Sequence, residues 1–97
     1  EKINMKKVGK IPKKISLIKI DTNGNELFVV KALLQIIKKN KPALIVEINN
    51  DTPNIDKILK KYSYKGYYYS IEEKKFLETE KKSTVNKYYL QKEHLRL

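Results

Sequence analysis

The feature that most constrains the fold is a pair of short apolar runs separated by a polar turn and a long apolar-striped segment. The first run spans residues 15–20 and the second spans residues 43–48. Both runs are rich in aliphatic residues and nearly continuous in hydrophobicity, which is typical of strands buried in a parallel sheet. The segment between them is long enough for a helix, so the sequence predicts a strand–helix–strand unit.

The turn that follows the first run, from Asp21 to Glu26, contains signals for the start of a helix. Asn23 is a candidate cap, and Glu26 lies three residues later, where its carboxylate can reach back to the backbone N–H of the cap. Gly24 allows the sharp turn between them. The helix is expected to end before Pro42, because proline cannot continue a helix.

Further elements are predicted after the second apolar run. Thr52 and Pro53 form a helix start signal. An apolar stripe with the spacing of a short amphipathic helix follows it: Ile55, Ile58, Leu59 and Tyr62. Residues 66–71 and 86–90 are rich in tyrosine and predict two strands, with sheet packing favoured over ring stacking on a ligand. The charged residues 72–82 predict either a hairpin with a short strand or a loop.

The length of 97 residues bounds the organisation to one small domain. We predict an extended lead-in at residues 1–14, an α/β domain at residues 15–90 and a tail at residues 91–97. The chain has no cysteine, which excludes disulfides and thiolate metal sites, and the single His94 disfavours a histidine-based metal site. No run is apolar enough to span a bilayer, so we expect a cytoplasmic protein without membrane contact.

The net charge of +11 raises the question of a polyanionic partner. The 22 basic residues include one arginine, Arg96. Proteins that read bases and phosphates rely on the planar fork of arginine, so the composition favours a lysine-coated surface. The alternative is a small basic α/β module that binds RNA or another polyanion, because a field of this sign attracts any polyanion at low salt.

The order of these elements resembles the FkbM family of S-adenosylmethionine-dependent methyltransferases. The resemblance is carried by Ile-Lys-Ile-Asp-Thr-Asn-Gly-Asn-Glu at residues 18–26, Lys-Pro at 41–42 and Leu-Ile-Val-Glu at 44–47. It extends over residues 15–90 and implies the carboxyl-terminal half of a Rossmann-like methyltransferase domain. The implied fold class is α/β, with a partial sheet in which a parallel βαβ core is followed by antiparallel carboxyl-terminal strands.

The resemblance also implies a reaction and its residues. The family is taken to methylate hydroxyl groups of sugars or natural products. Asp21 would orient the acceptor hydroxyl and take its proton, and Glu47 would be the second carboxylate, so both are predicted catalytic residues. Asn23 and Asn49 are the predicted substrate-binding residues. The carboxylates could instead bind Mg²⁺ or Ca²⁺, although we predict no metal, and a simple capping turn would use the same residue types.

Two departures from the family pattern limit the prediction. Asn23 stands where the family has glutamate, and an amide cannot act as a base. The three glycines, Gly9, Gly24 and Gly66, form no Gly-x-Gly turn of the kind that holds such a cofactor. We therefore expect S-adenosylmethionine binding in the complete enzyme only. The incomplete sheet would leave the first strand unpaired at one edge, which predicts a homodimer or a partner segment across it.

Overall fold

The structure is a computed structural model that describes residues 2–4, through their backbone, and residues 16–80 and 84–95. The elements in chain order are β1 (Lys2–Asn4), β2 (Leu17–Ile20), α1 (Glu26–Ala32), α2 (Leu34–Asn40), β3 (Ala43–Glu47), α3 (Thr52–Lys60), β4 (Lys65–Ser70), β5 (Lys75–Leu77), β6 (Asn86–Leu90) and a 3-10 helix (Lys92–Leu95). None of the helices in these ranges is long and apolar enough to cross a bilayer.

The strands form one mixed sheet in the order β1-β2-β3-β6-β4-β5. β1, β2 and β3 are parallel, whereas β6 is antiparallel to both β3 and β4, and β5 is antiparallel to β4. The predicted α/β class, with a parallel core and antiparallel carboxyl-terminal strands, is confirmed. The charged segment after β4 contains the short strand of a hairpin, although residues 81–83 lie outside the described part.

β1 bears on the prediction that the strand at residues 15–20, now β2, has an unpaired edge. β1 pairs in parallel with β2, with Lys2 opposite Leu17 and Asn4 opposite Lys19. The prediction that β2 has an unpaired edge is therefore wrong, because the lead-in itself supplies the neighbouring strand. The predicted dimer or partner segment loses this physical basis and stays a prediction. The rest of the lead-in and Ile15 lie outside the described residues.

The core lies between one face of the sheet and the helices. Side chains alternate along a strand, so residues of the same parity share a face. The strand residues in the core are Ile18, Ile20, Leu44, Val46 and Tyr89, and the helices add Val30, Ile37, Ile55 and Leu59, together with Leu33 between α1 and α2. All ten are at most 7% exposed. The predicted apolar stripe of α3 is confirmed, since Ile58 and Tyr62 pack against the same core.

The opposite face of the sheet carries no helix among the described residues. Tyr67, Tyr69 and Tyr88 lie there with Phe76, and their rings meet edge to face, with centroids 5.2–6.5 Å apart. Tyr69 remains 42% exposed and Phe76 remains 37% exposed. The tyrosines therefore divide between core packing on one face and a half-exposed aromatic cluster on the other.

Three local features differ from the predictions. The first helix is interrupted at Leu33, whose N–H is shared between the carbonyls of Val29 at 3.0 Å and Val30 at 3.2 Å. This 3-10-type contact tightens the turn and separates α1 from α2. α3 begins one residue earlier than its start signal, with Asp51 as the cap. Of the predicted tail, residues 92–95 form the 3-10 helix, while residues 96–97 lie outside the described part.

Candidate active site

The strand register brings the two predicted catalytic residues together. Ile20 of β2 is paired with Val46 of β3, so the residues that follow, Asp21 and Glu47, lie side by side at the carboxyl edge of the parallel strands. Carboxylate oxygens of Asp21, Glu26 and Glu47 all lie within 4.8 Å of one another. Asp21 is exposed, Glu47 is half-buried and Glu26 is fully buried. Ligands bind at this edge in open α/β sheets.

Glu26 is the structural centre of this acidic cluster. Its Oε2 accepts a 2.9 Å hydrogen bond from the Thr22 N–H, and its Oε1 accepts one of 2.9 Å from the Gly24 N–H. Oε1 also accepts a 2.6 Å bond from the side-chain amide of Asn49. Burial acts to raise the pKa of Glu26, but these N–H donors favour the charged carboxylate and hold the pKa below its ordinary value.

These bonds correct the predicted capping box. Glu26 is the first residue of α1, and the cap is Asn25, which makes no side-chain capping bond. The carboxylate therefore reaches back to the turn that precedes the cap. Asn23 instead adopts a left-handed conformation with φ 52°, and Gly24 follows with φ 106°. Asparagine and glycine are the residues that tolerate this conformation, which explains the pair in the turn.

Asn49 connects the two loops of the site. Its amide donates to Glu26, its Oδ1 accepts a 2.7 Å bond from the Asp51 N–H, and its own N–H donates to Thr52 Oγ1 at 2.9 Å. Asn49 therefore fixes the loop after β3 against the turn after β2. The substrate-binding roles of Asn23 and Asn49 stay predictions. Asn23 is exposed beside the cluster, whereas the Asn49 amide is engaged within it.

The proximity of the carboxylates changes the acidity of Glu47. A side-chain hydrogen bond with Asp21 is the largest cause of a raised Glu47 pKa, followed by burial and by the negative charges of Asp21 and Glu26. Like charges at this distance favour a shared proton. Glu47, beside Asp21, therefore accepts a proton more readily than an isolated carboxylate.

Two further features surround the cluster. The hydroxyl oxygen of Thr22 is buried and has no hydrogen-bond partner among the described residues. A cavity of about 250 Å³ borders the turn and is lined by Gly24, Asn25, Leu27, Phe28, Lys31 and Asp51. The Phe28 side chain is 74% exposed there. An exposed aromatic ring beside a polar turn offers an apolar contact surface.

The acidic edge is formed by two stretches of sequence that lack lysine. The sequence analysis did not use this signal. Residues 20–30 and 42–56 contain no lysine in a chain with 22 basic residues. The same two stretches hold the acidic residues Asp21, Glu26, Glu47 and Asp51 near this edge, and Asp56, which forms an ion pair with Lys87. A basic chain that excludes lysine from both loops at one sheet edge keeps that edge negative. This signal could have identified Glu26 as part of the cluster instead of a capping residue only.

Comparison with known proteins agrees with the geometry. Residues 2–86 match the family model of the Methyltransferase FkbM domain, which covers nearly the whole 97-residue chain. The chain belongs to the FkbM methyltransferase family. No curated protein and no solved structure gives a significant match. The α/β fold and the acidic edge are therefore features of a methyltransferase-family chain.

The residues of this FkbM-family chain suit some ligands better than others. Hard cations such as Mg²⁺ prefer carboxylate oxygens, and Asp21 and Glu47 have oxygens available for one. Glu26 is less suited, because its oxygens already accept three N–H donors. The acidic pair also fits the positively charged reacting end of S-adenosylmethionine. The sequence has no Gly-x-Gly turn for the rest of that cofactor.

Proposed function

We propose that this chain is the carboxyl-terminal part of a cytoplasmic S-adenosylmethionine-dependent O-methyltransferase that acts on a hydroxyl of a sugar or natural product. In this proposal the chain contributes the acceptor side of the active site and is inactive alone. The observation that carries the proposal is the Asp21–Glu47 pair, aligned by strand register at the carboxyl edge of a methyltransferase-family sheet.

Transfer of a methyl group to a hydroxyl requires removal of one proton. S-adenosylmethionine, when bound in the complete enzyme, supplies a methyl group on a positively charged sulfur. When the acceptor oxygen takes up that methyl group, an oxygen of Asp21 would accept the proton that the hydroxyl releases. General-base assistance of this kind contributes roughly 10²–10⁴-fold to a rate.

Glu47 has a distinct role in this proposal. The contact with Asp21 raises the pKa of Glu47, so Glu47 would take over the proton that Asp21 receives from the acceptor. Glu26 does not touch the acceptor, because it is buried and fully engaged by N–H donors. It acts as a positioning residue that fixes the turn from which Asp21 projects. The exposed ring of Phe28 offers a contact for the apolar part of the acceptor.

The decisive experiment measures methyl transfer to a panel of hydroxyl acceptors by the complete enzyme, encoded by the reading frame that contains this chain. Asp21→Asn should reduce turnover by about 10²-fold or more, because the amide cannot accept the proton. The matched control is Glu72→Gln, an equal charge change at an exposed residue in the turn after β4. Wild-type turnover in Asp21→Asn would contradict the base role.

Two further measurements separate the parts of the proposal. Calorimetry on the 97-residue chain should detect no S-adenosylmethionine binding, since the glycine-rich turn is missing. Tight binding by this chain alone would refute the assignment to a half-site. Chelation of divalent ions in the complete enzyme should leave turnover unchanged. Loss of turnover that Mg²⁺ restores would assign the Asp21–Glu47 pair to a metal instead of to proton transfer.

A further inference from the structure

A second cavity lies at the opposite edge of the sheet, where β3 begins and β6 ends. Its volume is about 570 Å³, and its lining is Ile37, Lys38, Lys41, Tyr62, Ser63, Gln91, Lys92 and Glu93. Small-molecule sites in proteins typically span roughly 300–1,000 Å³. The cavity therefore has the size of a ligand site, and it is formed by residues that the methyl-transfer proposal does not use.

Three lysines converge on this cavity. Lys38, Lys41 and Lys92 are exposed, and none of them forms an ion pair within the described part of the chain. Lys38 Nζ lies 5.7 Å from the centroid of the Tyr62 ring, which holds its ammonium group at the cavity wall. Glu93 is the one acidic residue in the lining. The cavity thus has an excess of two positive charges.

Side chains engage two of the backbone carbonyls at this edge, which reduces the repulsion that they would exert on an anion. Carbonyl groups at helix ends carry partial negative charge and would repel one. Here the carbonyl of Lys41 is engaged by His94 Nε2 at 3.0 Å, and the carbonyl of Tyr62 accepts a 2.8 Å bond from Gln91 Nε2. The His94 tautomer follows from its other nitrogen, since Nδ1 accepts a 2.8 Å bond from the Gln91 N–H.

We propose that this cavity binds the phosphate groups of a small phosphorylated ligand of nucleotide size. Lysine binds phosphate as a point charge, so three ammonium groups around one cavity suit two linked phosphates better than a single carboxylate. The half-buried Tyr62 ring provides a flat surface beside them for the remainder of the ligand. This site is independent of the acidic edge, so either proposal can fail without the other.

The first test follows backbone amide resonances of the 97-residue chain during titration with inorganic pyrophosphate and then with a nucleoside diphosphate. Shifts should concentrate at residues 37–41, 62–63 and 91–94, with both probes competing for the same site. Shifts spread evenly over the lysines of the chain would overturn the proposal, because they would indicate diffuse attraction. No shift with either probe at low salt would overturn it as well.

The second test compares two triple variants that remove the same charge. Replacement of Lys38, Lys41 and Lys92 by glutamine should weaken binding by about tenfold or more, since charge-assisted hydrogen bonds are lost. The control replaces Lys19, Lys57 and Lys75, which are exposed and lie outside the cavity lining. It should change affinity by less than about twofold at moderate salt. Equal losses in the two variants would contradict a localised site.

Two more measurements complete the design. Glu93→Gln should tighten binding, because it removes the one negative charge in the lining, and weaker binding would contradict the proposed role of charge. A single-stranded oligonucleotide of about ten residues distinguishes the source of the phosphate. If the oligonucleotide binds but pyrophosphate and the nucleoside diphosphate do not, and if the variant at Lys38, Lys41 and Lys92 abolishes this binding, the site is assigned to a nucleic acid backbone. Unchanged amide spectra away from the cavity verify that the variants are folded.

Discussion

The two edges of the sheet hold opposite charges by different means. At the carboxyl edge, Glu26 is buried and receives three N–H donors from other residues, and Asp21 and Glu47 are aligned by strand pairing. At the opposite edge, where β3 begins, which we call the amino edge, exposed lysines line a cavity beside which side chains engage the carbonyls of Lys41 and Tyr62. The acidic groups are placed by strand pairing and hydrogen bonds, whereas the lysines are exposed and form no ion pair within the described part of the chain. Positioned carboxylates suit proton transfer, and unpaired ammonium groups suit electrostatic binding.

Part of this polarity has a purely structural cause. Carboxylates stabilise helix amino termini and cations stabilise carboxyl termini, because each opposes the partial charge of the helix end. Glu26 begins α1, Lys38 and Lys39 lie in the last turn of α2, and Lys60 ends α3. Asp21 and Glu47 do not follow from this rule, since their proximity raises the Glu47 pKa. The candidate active site is therefore distinguished by Asp21 and Glu47, the two carboxylates that helix-end electrostatics do not explain.

The largest expected effect on stability is at the carboxyl edge. Glu26→Gln should lower the free energy of unfolding by about 2 kcal/mol, because a buried amide cannot accept all the bonds that the carboxylate accepts. Chemical denaturation at neutral pH measures the change. Glu72→Gln, an exposed control, should stay within about 0.5 kcal/mol of the wild type. Equal effects of the two variants would mean that the turn is not held by Glu26.

Acid should weaken the same edge to a smaller extent. The folded-state pKa of Glu26 lies below its ordinary value of 4.5. Its contribution to stability is therefore fully present above that value and is lost as the pH falls below it, through the folded-state pKa. Denaturation curves recorded along this acid range should show a fall in the wild type. The fall should be shallower in Glu26→Gln, and parallel curves would assign the acid sensitivity to other groups.

The amino edge should respond less strongly to removal of a single side chain. His94→Ala removes the acceptor for the Gln91 N–H and the partner of the Lys41 carbonyl, and we expect a cost of about 1 kcal/mol. The neighbouring Glu93→Gln should change stability by less than about 0.5 kcal/mol. If His94→Ala lowered the free energy of unfolding more than Glu26→Gln does, the amino edge and not the carboxyl edge would contribute more to stability.

The smallest effect concerns the pKa of Glu47 and not the fold. Asp21→Asn removes the largest cause of the raised Glu47 pKa, so that pKa should fall towards its ordinary value. Carboxyl NMR titration of the 97-residue chain measures this change. The unfolding free energy at neutral pH should not decrease, because a like-charge contact is relieved. The control Asp51→Asn should leave the Glu47 pKa unchanged. If Asp51→Asn lowered the Glu47 pKa as much as Asp21→Asn does, the contact with Asp21 would not be the cause of the raised pKa.

The regular elements were predictable because local pattern and burial agree. The strands at residues 15–20, 43–48 and 86–90 correspond to β2, β3 and β6 within two residues at each end. The apolar residues of α3 lie on one face of the helix, and that face packs against the core. The pairing of β1 was not predictable, since the lysine-rich lead-in has no strand pattern and its placement depends on the edge that β2 offers. The 3-10 helix likewise depends on long-range bonds from Gln91 and His94.

The sequence by itself determined the strand–helix–strand unit, the positions of Asp21 and Glu47 at strand ends, and the family to which the chain belongs. These follow from two nearly continuous apolar runs, from the helical spacing of apolar residues and from a short motif, all of which are local along the chain. Only the tertiary structure decided that Glu26 is a buried partner of Asn49, 23 residues away, and that three lysines share one cavity. Such contacts join loops that are far apart along the chain and meet only when the strands pair, so a pattern that is local along the chain does not reveal them.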